Sequence, residues 1–413
     1  MSRSMHILLI APSAPPKNSS EAMQVGRFLE NLDPAIQVTL VTTPVVAGWQ
    51  REDSSLAINR RGLSVIAPTL PFHRLTQRVL SNRRLSLLHR PDSDFWLTLF
   101  ARYILRRLPD LPDVIYSRSA PFSAALLACR IKSMTGRPWL MHLSDPWSGS
   151  PYRQHSDRRT RADRAQEAVC FNNADMITLT TQGQADYYRA RYPAQAESVS
   201  ETPNMMPAIH SKQTKTRSQG SLRLVYTGAL YGDRNPATLL NALRRLHDGA
   251  GDYLDKITVD FYGNMPPQMA KEIVNTPGCF VHGPISFAAI SEKQAQADVL
   301  VTIEPGGKHP LLLHFMPSKN LDYIASGKPI LAITPKGSET DRLCRQGHGW
   351  AFDPDDADTL ADKLKDLVIK CRQGKALHLR HDVNVSSYFA TTVTENIAEK
   401  LHRLASSFAI KGQ

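Results

Sequence analysis

The chain of 413 residues has few cysteines and no long apolar run. No apolar stretch approaches the roughly 18–20 residues of a membrane-spanning helix, so the sequence predicts none. The five cysteines are scattered without a Cys-x-x-Cys pair, which argues against a disulfide framework or a zinc site and favours a reducing cytoplasm. The apolar start over 5–11 is short and precedes APSAPP, so we interpret it as a buried strand rather than a signal peptide.

Recognisable nucleic-acid-binding modules, internal repeats and low-complexity segments are also missing. We therefore predict no nucleic-acid partner despite the net charge of +12. The most basic segment, residues 74–90, mixes arginines with leucines. Two interpretations of it stay open. It is either an amphipathic patch that docks on an anionic membrane, placing a cytoplasmic protein at the inner face of the membrane, or a solvated loop or helix.

An Asp-x-Asp pair at the end of a predicted strand, a frequent metal-binding arrangement, is missing as well. Two such pairs occur within residues 353–358, but they stand at the start of a predicted helix. Carboxylates at that position favour capping of the helix. The sequence therefore predicts no metal site.

Short apolar strands alternate with amphipathic helices along the whole chain, an order that predicts an α/β fold with parallel sheets. A chain of this length fits two domains better than one. A polar segment without core residues interrupts the pattern, which restarts at residue 222. The predicted boundaries are 1–207 for the first domain, 208–221 for the linker, 222–385 for the second domain and 386–413 for a terminal helix.

Residues 317–333 (PSKNLDYIASGKPILAI) are the most informative stretch of the chain. Apolar residues repeat at helical spacing up to a Gly-Lys-Pro stop, and 330–333 form a short apolar run typical of a buried parallel strand. Asp322 is four residues after Ser318 and three residues after Lys319, so the three residues share one side of the helix. This spacing allows all three to face the same ligand.

A glycine loop, EPGGKHP (304–310), precedes this helix. The backbone at Gly306 and Gly307, with the helix N-terminus, can hold a pyrophosphate through N–H groups and the helix dipole. Asp322 is then well placed for a ribose diol. The alternative is a generic αβ unit in which Lys319 and Asp322 are merely solvated.

The pattern PSK-x-x-(E/D)-Y-x-A-x-GKP resembles the nucleotide-sugar site of GT-B glycosyltransferases, especially the retaining GT4-like (glycosyltransferase group 1) enzymes of bacterial polysaccharide assembly. In that family the carboxylate is usually the second Glu of an E-x7-E pair. Asp322 takes its place here, and His314 stands where the first Glu is expected. The resemblance implies two Rossmann-like domains facing across a cleft, with a C-terminal helix that crosses back to the first domain.

The segment SDPW resembles the D-x-W element of the same family, which lies near the acceptor and the donor sugar. The resemblance implies that Asp145 orients or deprotonates an acceptor hydroxyl and that Trp147 stacks on a sugar face. Ser144 and Tyr152 belong to the same acceptor-side loop. The alternative for Asp145 is a turn cap, a common role of Asp before Pro.

The strand over 222–227 leads to Gly228 and resembles the family's donor loop, where basic residues meet the diphosphate. Arg234 is the best match for one of them, with an ordinary surface arginine as the alternative. Ala229 stands where an arginine usually follows the glycine, so one of two expected cations is missing. His282 stands near where the resemblance places the nucleotide base.

The first βα loop of the family often carries two glycines close to the donor phosphates, whereas Ser19 and Ser20 stand here. Ser20 could contact a ligand through its N–H or hydroxyl group, and we group it with the acceptor-side residues. The alternative is an N-cap of the following helix. Pro203 and Asn204 match the segment that ends the first domain in the resembling enzymes.

These motifs predict a glycosyltransferase that moves a sugar from a nucleotide-diphosphate donor to a glycan or lipid-linked acceptor. Retention, metal independence and donor binding by the second domain are implied by the resemblance, and the nucleotide sugar is a co-substrate rather than a bound cofactor. Two alternatives stay open. One is a non-catalytic nucleotide-sugar-binding subunit, which the departures at Ser19 and Ser20, at Ala229 and at His314 favour. The other is a GT-B-type epimerase or hydrolase of nucleotide sugars.

Overall fold

The computed structural model describes most of the chain as two compact units. The first unit is Met1–Met205 with Ser386–Gln413, and the second is Met206–Val385. Most of the basic segment 74–90 and most of the predicted linker lie outside the described residues. The described residues are 4–45, 52–72, 75–76, 79, 90–153, 157–209, 220–248, 253–307, 309–375, 377 and 384–411.

Strands and helices alternate in both units. The strands are His6–Ile10 (β1), Gln37–Val41 (β2), Leu63–Ile66 (β3), Val114–Ser119 (β4), Trp139–Leu143 (β5), Met176–Leu179 (β6), Val199–Glu201 (β7), Leu222–Thr227 (β8), Ile257–Tyr262 (β9), Cys279–Gly283 (β10), Val299–Ile303 (β11), Ile330–Ile333 (β12) and Gly349–Phe352 (β13). The helices are Ser20–Asn31 (α1), Ala101–Arg107 (α2), Ser123–Thr135 (α3), Asp157–Asn173 (α4), Gln182–Arg191 (α5), Ala237–Asp248 (α6), Pro267–Val274 (α7), Phe287–Gln296 (α8), Ser318–Ala325 (α9), Glu339–Leu343 (α10), Ala357–Arg372 (α11) and Ala390–Lys411 (α12).

The first sheet has the strand order β3-β2-β1-β4-β5-β6-β7, and its neighbouring strands are parallel. The inner strand β1 is buried along its whole length. Leu8 and Ile10 enter one apolar cluster, whereas Ile7 and Leu9 enter another. Side chains of a strand alternate between the two faces of its sheet, so both faces are covered. This arrangement confirms the parallel α/β class predicted from the apolar runs.

The final helix α12 packs on the first unit. Val393, Ile397 and Leu401 are four residues apart, so they form one stripe on the helix. All three are buried in the same cluster as Val25 and Phe28 of α1. The predicted return of the C-terminal helix to the first domain is therefore confirmed.

The second sheet has the order β10-β9-β8-β11-β12-β13 and is parallel as well. Leu239 and Leu243 of α6 pack with Leu360 and Leu364 of α11 in the same cluster as Leu224 of β8. Because all strands of each sheet run in one direction, their carboxyl-terminal ends share one edge. Ligands of α/β proteins bind at that edge.

Two absences in the described residues bear on the sequence predictions. The described helices include none that is both long and apolar enough to cross a membrane. No three His, Cys, Asp or Glu side chains of the described residues are grouped to hold a metal ion. The Asp356 side chain caps α11 by accepting from the Thr359 N–H at 2.9 Å, which confirms the capping interpretation for that residue.

Candidate functional site

The loops after β8 and β9 meet at the carboxyl-terminal edge of the second sheet through two glycines. Gly228 and Gly263 have φ angles of +128° and +140°, which favour glycine. The Gly228 N–H donates to the Tyr262 carbonyl at 2.9 Å, and a Cβ at Gly263 would lie 1.9 Å from the Gly228 carbonyl oxygen. A side chain at Gly263 would therefore clash with the neighbouring loop. A Cβ at Gly228 would meet nothing closer than 3.8 Å, so the backbone there is open to close approach by a ligand.

Lys319, in the first turn of α9, places its ammonium group beside Gly228. Its Nζ lies 3.4 Å from the Thr227 carbonyl oxygen and 3.9 Å from the centroid of the Tyr226 ring. The first contact is a long hydrogen bond and the second a cation–π contact. Among the described residues no carboxylate is ion-paired with Lys319. The ammonium group therefore keeps hydrogen-bond donors for an anion.

The positive charge of a second residue, Arg234, acts on Lys319. Burial, followed by the positive charge of Arg234, lowers the pKa of Lys319 well below its ordinary value, and the negative charge of Glu304 opposes this shift. The Arg234 guanidinium lies 4.8 Å above the Tyr231 ring. The mutual repulsion of two nearby cations is unfavourable in the free protein, and a bound anion would relieve it.

Glu304, one residue beyond β11, was not predicted as a site residue. It is 5% exposed, and its carboxylate accepts hydrogen bonds from the hydroxyls of Thr334 and Thr340, the latter at 2.6 Å. Burial raises its pKa, while these hydroxyls and the charges of Arg234 and Lys319 oppose the shift. The sequence signal for Glu304 was a carboxylate placed directly after a buried strand.

Helix α9 carries three of the predicted donor-site residues. The predicted helix and its stop are confirmed, because α9 ends shortly before Gly327, whose φ is +70°. The Thr227 N–H donates to the Tyr323 hydroxyl at 3.1 Å, which ties the helix to β8. Ser318 and Asp322 are partly buried on the helix that carries the lysine.

His282, at the end of β10, forms a flat aromatic surface with Tyr262. The two rings are 4.5 Å apart between centroids, and their planes differ by 13°. His282 Nε2 lies 2.6 Å from Asp260 Oδ1, and Arg223 Nε lies 2.9 Å from Asp260 Oδ2. The His282 side chain is 39% exposed. Such a surface can stack with another aromatic ring.

The loop that precedes α9 packs through its own glycines. Gly307 has a φ of +142°, and a Cβ at Gly306 would lie 3.3 Å from the Pro354 side chain. His314 is partly buried at the end of a short 3-10 turn. Burial raises the pKa of Glu339 on α10, and the charges of Arg342 and His314 oppose that shift.

The corresponding edge of the first sheet holds a buried ion pair that was also not predicted. Arg118, on β4, donates from Nε to Glu21 at 2.7 Å and from Nη1 to the Tyr116 hydroxyl at 3.0 Å. The Ser144 hydroxyl donates to the other Glu21 oxygen. An arginine within a predicted strand was the sequence signal for this pair. Its charges are balanced within the protein.

Three other acceptor-side residues lie at the surface of the first unit. Asp145 and Ser20 are exposed, and Tyr152 is 40% exposed. Ser19 caps α1, since its hydroxyl accepts from the Ala22 N–H at 3.1 Å. The alternative interpretation of Ser20 as the cap is therefore wrong.

Trp147 is fully buried, so the expectation that it stacks on a sugar face is wrong. Its ring stacks on Phe122 with the centroids 4.8 Å apart, and its indole N–H donates to Asp163 at 3.2 Å. The Trp147 backbone N–H donates to the Tyr188 hydroxyl at 2.8 Å. Burial of a large apolar ring with its N–H bonded is a strong stabilising contribution, which accounts for this position.

Two family models match this chain, one in each unit. The model described as Glycosyl transferase 4-like domain matches residues 22–204, and the model described as Glycosyl transferases group 1 matches residues 221–370. A comparison with curated proteins finds no match.

Solved structures with a similar fold span nearly the whole chain. HepE of Anabaena, in complex with UDP and glucose, has a TM-score of 0.64 at 15% identity and covers 97% of this chain and 100% of its own. The lipopolysaccharide outer core galactosyltransferase WaaB has a TM-score of 0.59 at 13% identity, covering 96% and 98%. Sucrose-phosphate synthase from Thermosynechococcus elongatus has a TM-score of 0.57 at 14% identity, covering 98% and 97%.

At these identities the likeness of the structures shows the fold, and the family models show the family. The two models together account for most of the chain, and their order agrees with the order of the two parallel-sheet units. The chain therefore belongs to the GT4-like (glycosyltransferase group 1) family of glycosyltransferases with the GT-B fold.

Proposed function

We propose that this glycosyltransferase moves a sugar from a nucleotide-diphosphate donor to a glycan or lipid-linked acceptor in polysaccharide biosynthesis, with retention of the anomeric configuration. The observation that carries the proposal is the Lys319 ammonium group beside the open backbone of Gly228, with the charge of Arg234 acting on that lysine. A diphosphate leaving group gains negative charge in the transition state, and preorganised cations stabilise that charge. HepE structures contain UDP with glucose or UDP-glucose, which supports a uridine nucleotide sugar as the first donor to test.

The second domain, residues 222–385, is the donor domain in this proposal. Lys319 and Arg234 neutralise the diphosphate, and Asp322 accepts from the ribose hydroxyls. The exposed imidazole of His282, stacked on Tyr262, lies beside the nucleotide base. The remaining donor contacts are backbone or hydroxyl contacts from Gly228, Gly306, Gly307 and Ser318.

The first domain, residues 1–207, binds the acceptor. Asp145 orients or deprotonates the acceptor hydroxyl, and its exposed position after β5 supports that role. Ser144, Tyr152 and Ser20 line the acceptor side. His314 bonds a donor-sugar hydroxyl in place of the family's glutamate.

The two proposed cations take the part that a metal ion plays in other transferases, so transfer continues in the presence of a chelator. The basic segment 74–90 binds an anionic membrane from the cytoplasmic side. Flotation with phosphatidylglycerol liposomes tests this docking. The protein is expected to float, and neutralising Arg83 and Arg84 is expected to prevent it. Equal flotation of the variant would exclude the segment as the anchor.

The transferase proposal is tested with purified protein, UDP-glucose and other nucleotide sugars, and lipid-linked oligosaccharide acceptors. We expect transfer that the Lys319→Ala variant loses, and NMR of the product is expected to show the anomeric configuration of the donor. An inverted product would contradict retention. Tight nucleotide binding without transfer to any acceptor would instead favour the non-catalytic subunit that Ala229 and His314 suggest. Altered or hydrolysed donor without transfer would favour an epimerase or hydrolase.

A further inference from the structure

The loop after β5, residues 144–153, exposes one carboxylate on a buried backbone. Asp145 is exposed, whereas the three residues that follow it, Pro146, Trp147 and Ser148, are buried. The pyrrolidine ring of Pro146 also fixes its own φ angle. The position of the Asp145 carboxylate therefore depends on how the residues on either side of it are held.

Ser144, on the amino-terminal side of Asp145, is held by three hydrogen bonds. Its N–H donates to the Ser119 carbonyl of β4 at 2.5 Å, and its own carbonyl accepts from the Thr180 hydroxyl at 3.2 Å. Its hydroxyl donates to Glu21. This side of Asp145 is therefore tied to the ends of β4 and β6 and to the first turn of α1.

Glu167 of α4 holds the other side of Asp145. It is fully buried, and its two oxygens accept from the Ser148 N–H at 2.7 Å and from the Ser148 hydroxyl at 2.9 Å. The Tyr188 hydroxyl accepts from the Trp147 N–H at 2.8 Å and donates to Glu167 at 3.0 Å. Burial raises the pKa of Tyr188 well above its ordinary value, so the hydroxyl keeps the proton that it donates. Glu167 thus fixes two successive N–H groups of the loop, one directly and one through Tyr188.

The hydrogen bonds around Glu167 require a carboxylate rather than an amide. Its Oε1 also accepts from the Tyr192 hydroxyl at 2.8 Å and lies 3.1 Å from Arg191 Nε. A hydroxyl can turn and accept, but a backbone N–H and a guanidinium N–H can only donate. Oε2 faces the Ser148 N–H and Oε1 faces Arg191 Nε, so a glutamine would direct its own N–H at one of these donors. Either choice disturbs Ser148, because Arg191 Nη2 donates to the Ser148 hydroxyl at 2.8 Å.

The loop has little room to adjust, since it lies directly on α5. A Cβ at Gly149 would be 2.2 Å from the Tyr187 hydroxyl, and Arg191 Nη1 donates to that same hydroxyl at 3.0 Å. Loss of the contacts to Glu167 would therefore move the loop backbone rather than be absorbed by a neighbouring space.

We propose that Glu167 is a positioning residue of the acceptor side: it holds the backbone that follows Asp145, so that the Asp145 carboxylate meets the acceptor hydroxyl in a fixed position. Glu167 is buried beneath the loop and acts through Asp145 instead of touching the acceptor. This inference rests on the proposed role of Asp145 and is independent of the donor-binding residues.

A double-mutant cycle with Asp145 tests the inference. Transfer to a lipid-linked oligosaccharide from UDP-glucose, or from the nucleotide sugar that the wild type uses in its place, is measured for the wild type, Glu167→Gln, Asp145→Asn and the double variant. We expect Glu167→Gln to lower kcat/KM for the acceptor about 10- to 100-fold, because a small misplacement of a reacting group reduces the rate steeply. Its UDP affinity, measured by calorimetry, is expected to equal that of the wild type.

The cycle separates positioning from general stability. In the Asp145→Asn background the Glu167→Gln substitution is expected to change kcat/KM by less than about twofold, since the group that it positions is already removed. Equal losses in both backgrounds would overturn the inference and leave Glu167 a structural residue. A fully active Asp145→Asn variant would contradict the role of Asp145, and the inference with it.

A matched pair of tyrosine variants keeps the inference testable should Glu167→Gln not fold. Tyr188→Phe and Tyr192→Phe each remove one hydroxyl bonded to Glu167, and the Tyr188 hydroxyl bonds the Trp147 N–H as well. We expect Tyr188→Phe to lower kcat/KM for the acceptor about tenfold and Tyr192→Phe to stay within about twofold of the wild type. Equal transfer by the two variants would overturn the inference.

Asp113→Asn is the control for the loss of a carboxylate elsewhere in the same sheet. Asp113 precedes β4 at the opposite edge and accepts from the His6 N–H at 2.7 Å. We expect this variant to have a lower melting temperature with unchanged kcat/KM. An active wild type with an equally active Glu167→Gln variant would overturn the inference alone. Failure of the wild type to transfer a sugar to any acceptor would instead contradict the proposed function, and the inference would fall with it.

Discussion

Each sheet holds a lysine ammonium group at its carboxyl-terminal edge, and the two groups are bonded very differently. Lys17, in the loop after β1, is 4% exposed and donates to the Pro12 carbonyl at 2.5 Å and to the Thr43 hydroxyl at 2.6 Å. Lys319 Nζ lies 3.4 Å from a carbonyl oxygen, 3.9 Å from the centroid of the Tyr226 ring and 6.0 Å from that of the Tyr323 ring. Burial lowers the pKa of both lysines, to about 8 for Lys17.

The difference indicates two roles for a buried cation. Lys17 satisfies its donors within the protein and links the loops after β1 and β2, so it stabilises the edge of the first sheet. Lys319 keeps donors that the protein does not use, beside backbone that a ligand can approach. At the same edge of the first sheet, the charge of Arg118 is likewise balanced within the protein by its ion pair with Glu21. Four predictions test this contrast.

The largest expected effect is the loss of stability in Trp147→Ala. Removing a fully buried aromatic side chain should lower the free energy of unfolding by about 3–5 kcal/mol, measured by urea denaturation. Trp147→Phe keeps a ring against Phe122 and should lose much less. A Trp147→Phe variant with normal stability but weakened acceptor binding would restore the sugar-stacking role that the buried ring argues against.

The next effect is on ligand binding by Lys319→Ala. Loss of one preorganised donor to the diphosphate should weaken UDP binding about 100-fold, whereas stability should change little because the lysine makes few internal bonds. Calorimetry and thermal denaturation check the two parts. Lys328→Ala, which removes a partly buried lysine just beyond α9, is the matched control and should leave UDP affinity unchanged.

We expect Lys17 to affect how the free energy of unfolding depends on pH, and not to affect nucleotide binding. Its folded pKa of about 8 lies below the value near 10.4 of an unfolded lysine, so the unfolded state binds more protons between these values. Stability contributed by this site therefore rises with pH in that window, by about 3 kcal/mol. Lys17→Met should lack the rise, and the control Lys365→Met, which alters a partly exposed lysine, should keep it. If Lys17→Met and the wild type had the same pH dependence of stability in urea denaturation, burial would not lower the pKa of Lys17 in the folded protein.

The smallest expected effect is that of Gly228→Ala. A positive φ of +128° strains an alanine by about 1 kcal/mol, but the new Cβ would meet nothing closer than 3.8 Å. UDP affinity should fall only a few-fold, since the methyl group lies beside Lys319 Nζ. Gly136→Ala, at the end of α3 with φ +71°, imposes similar strain in the first unit and should leave UDP affinity unchanged. Equal affinity for both variants would argue against ligand contact at Gly228.

Local patterns were enough to predict most elements of the fold. The apolar runs at 6–11 and 330–333 are buried strands, and the helix of the 317–333 stretch ends just before Gly327. These features depend on side-chain periodicity and on backbone preferences within a few residues. The family resemblance rested on motifs of the same local kind. Lys319 and Gly228 were therefore both predicted as donor-site residues, and the fold places Lys319 Nζ beside Gly228.

Contacts between residues that are far apart in the sequence could not be predicted from local patterns. Trp147 was misassigned because an aromatic residue in a polar loop has the same sequence signature whether its ring is exposed or packed on Phe122. The Arg118–Glu21 pair joins residues 97 positions apart, and Glu304 reaches Thr334 and Thr340 from a neighbouring strand. Such contacts depend on strand order and on which side chains the sheet edge brings together.

The sequence by itself determined the α/β class and the family, and it singled out Lys319 as a candidate donor-site residue, because periodicity and short motifs are local properties of the chain. The tertiary structure alone decided which charges face one another. The parallel order β8-β11-β12 brings Lys319, Glu304 and the hydroxyls that hold Glu304 to one edge. Electrostatic interactions depend on distance in space and on burial, and neither quantity is contained in spacing along the chain.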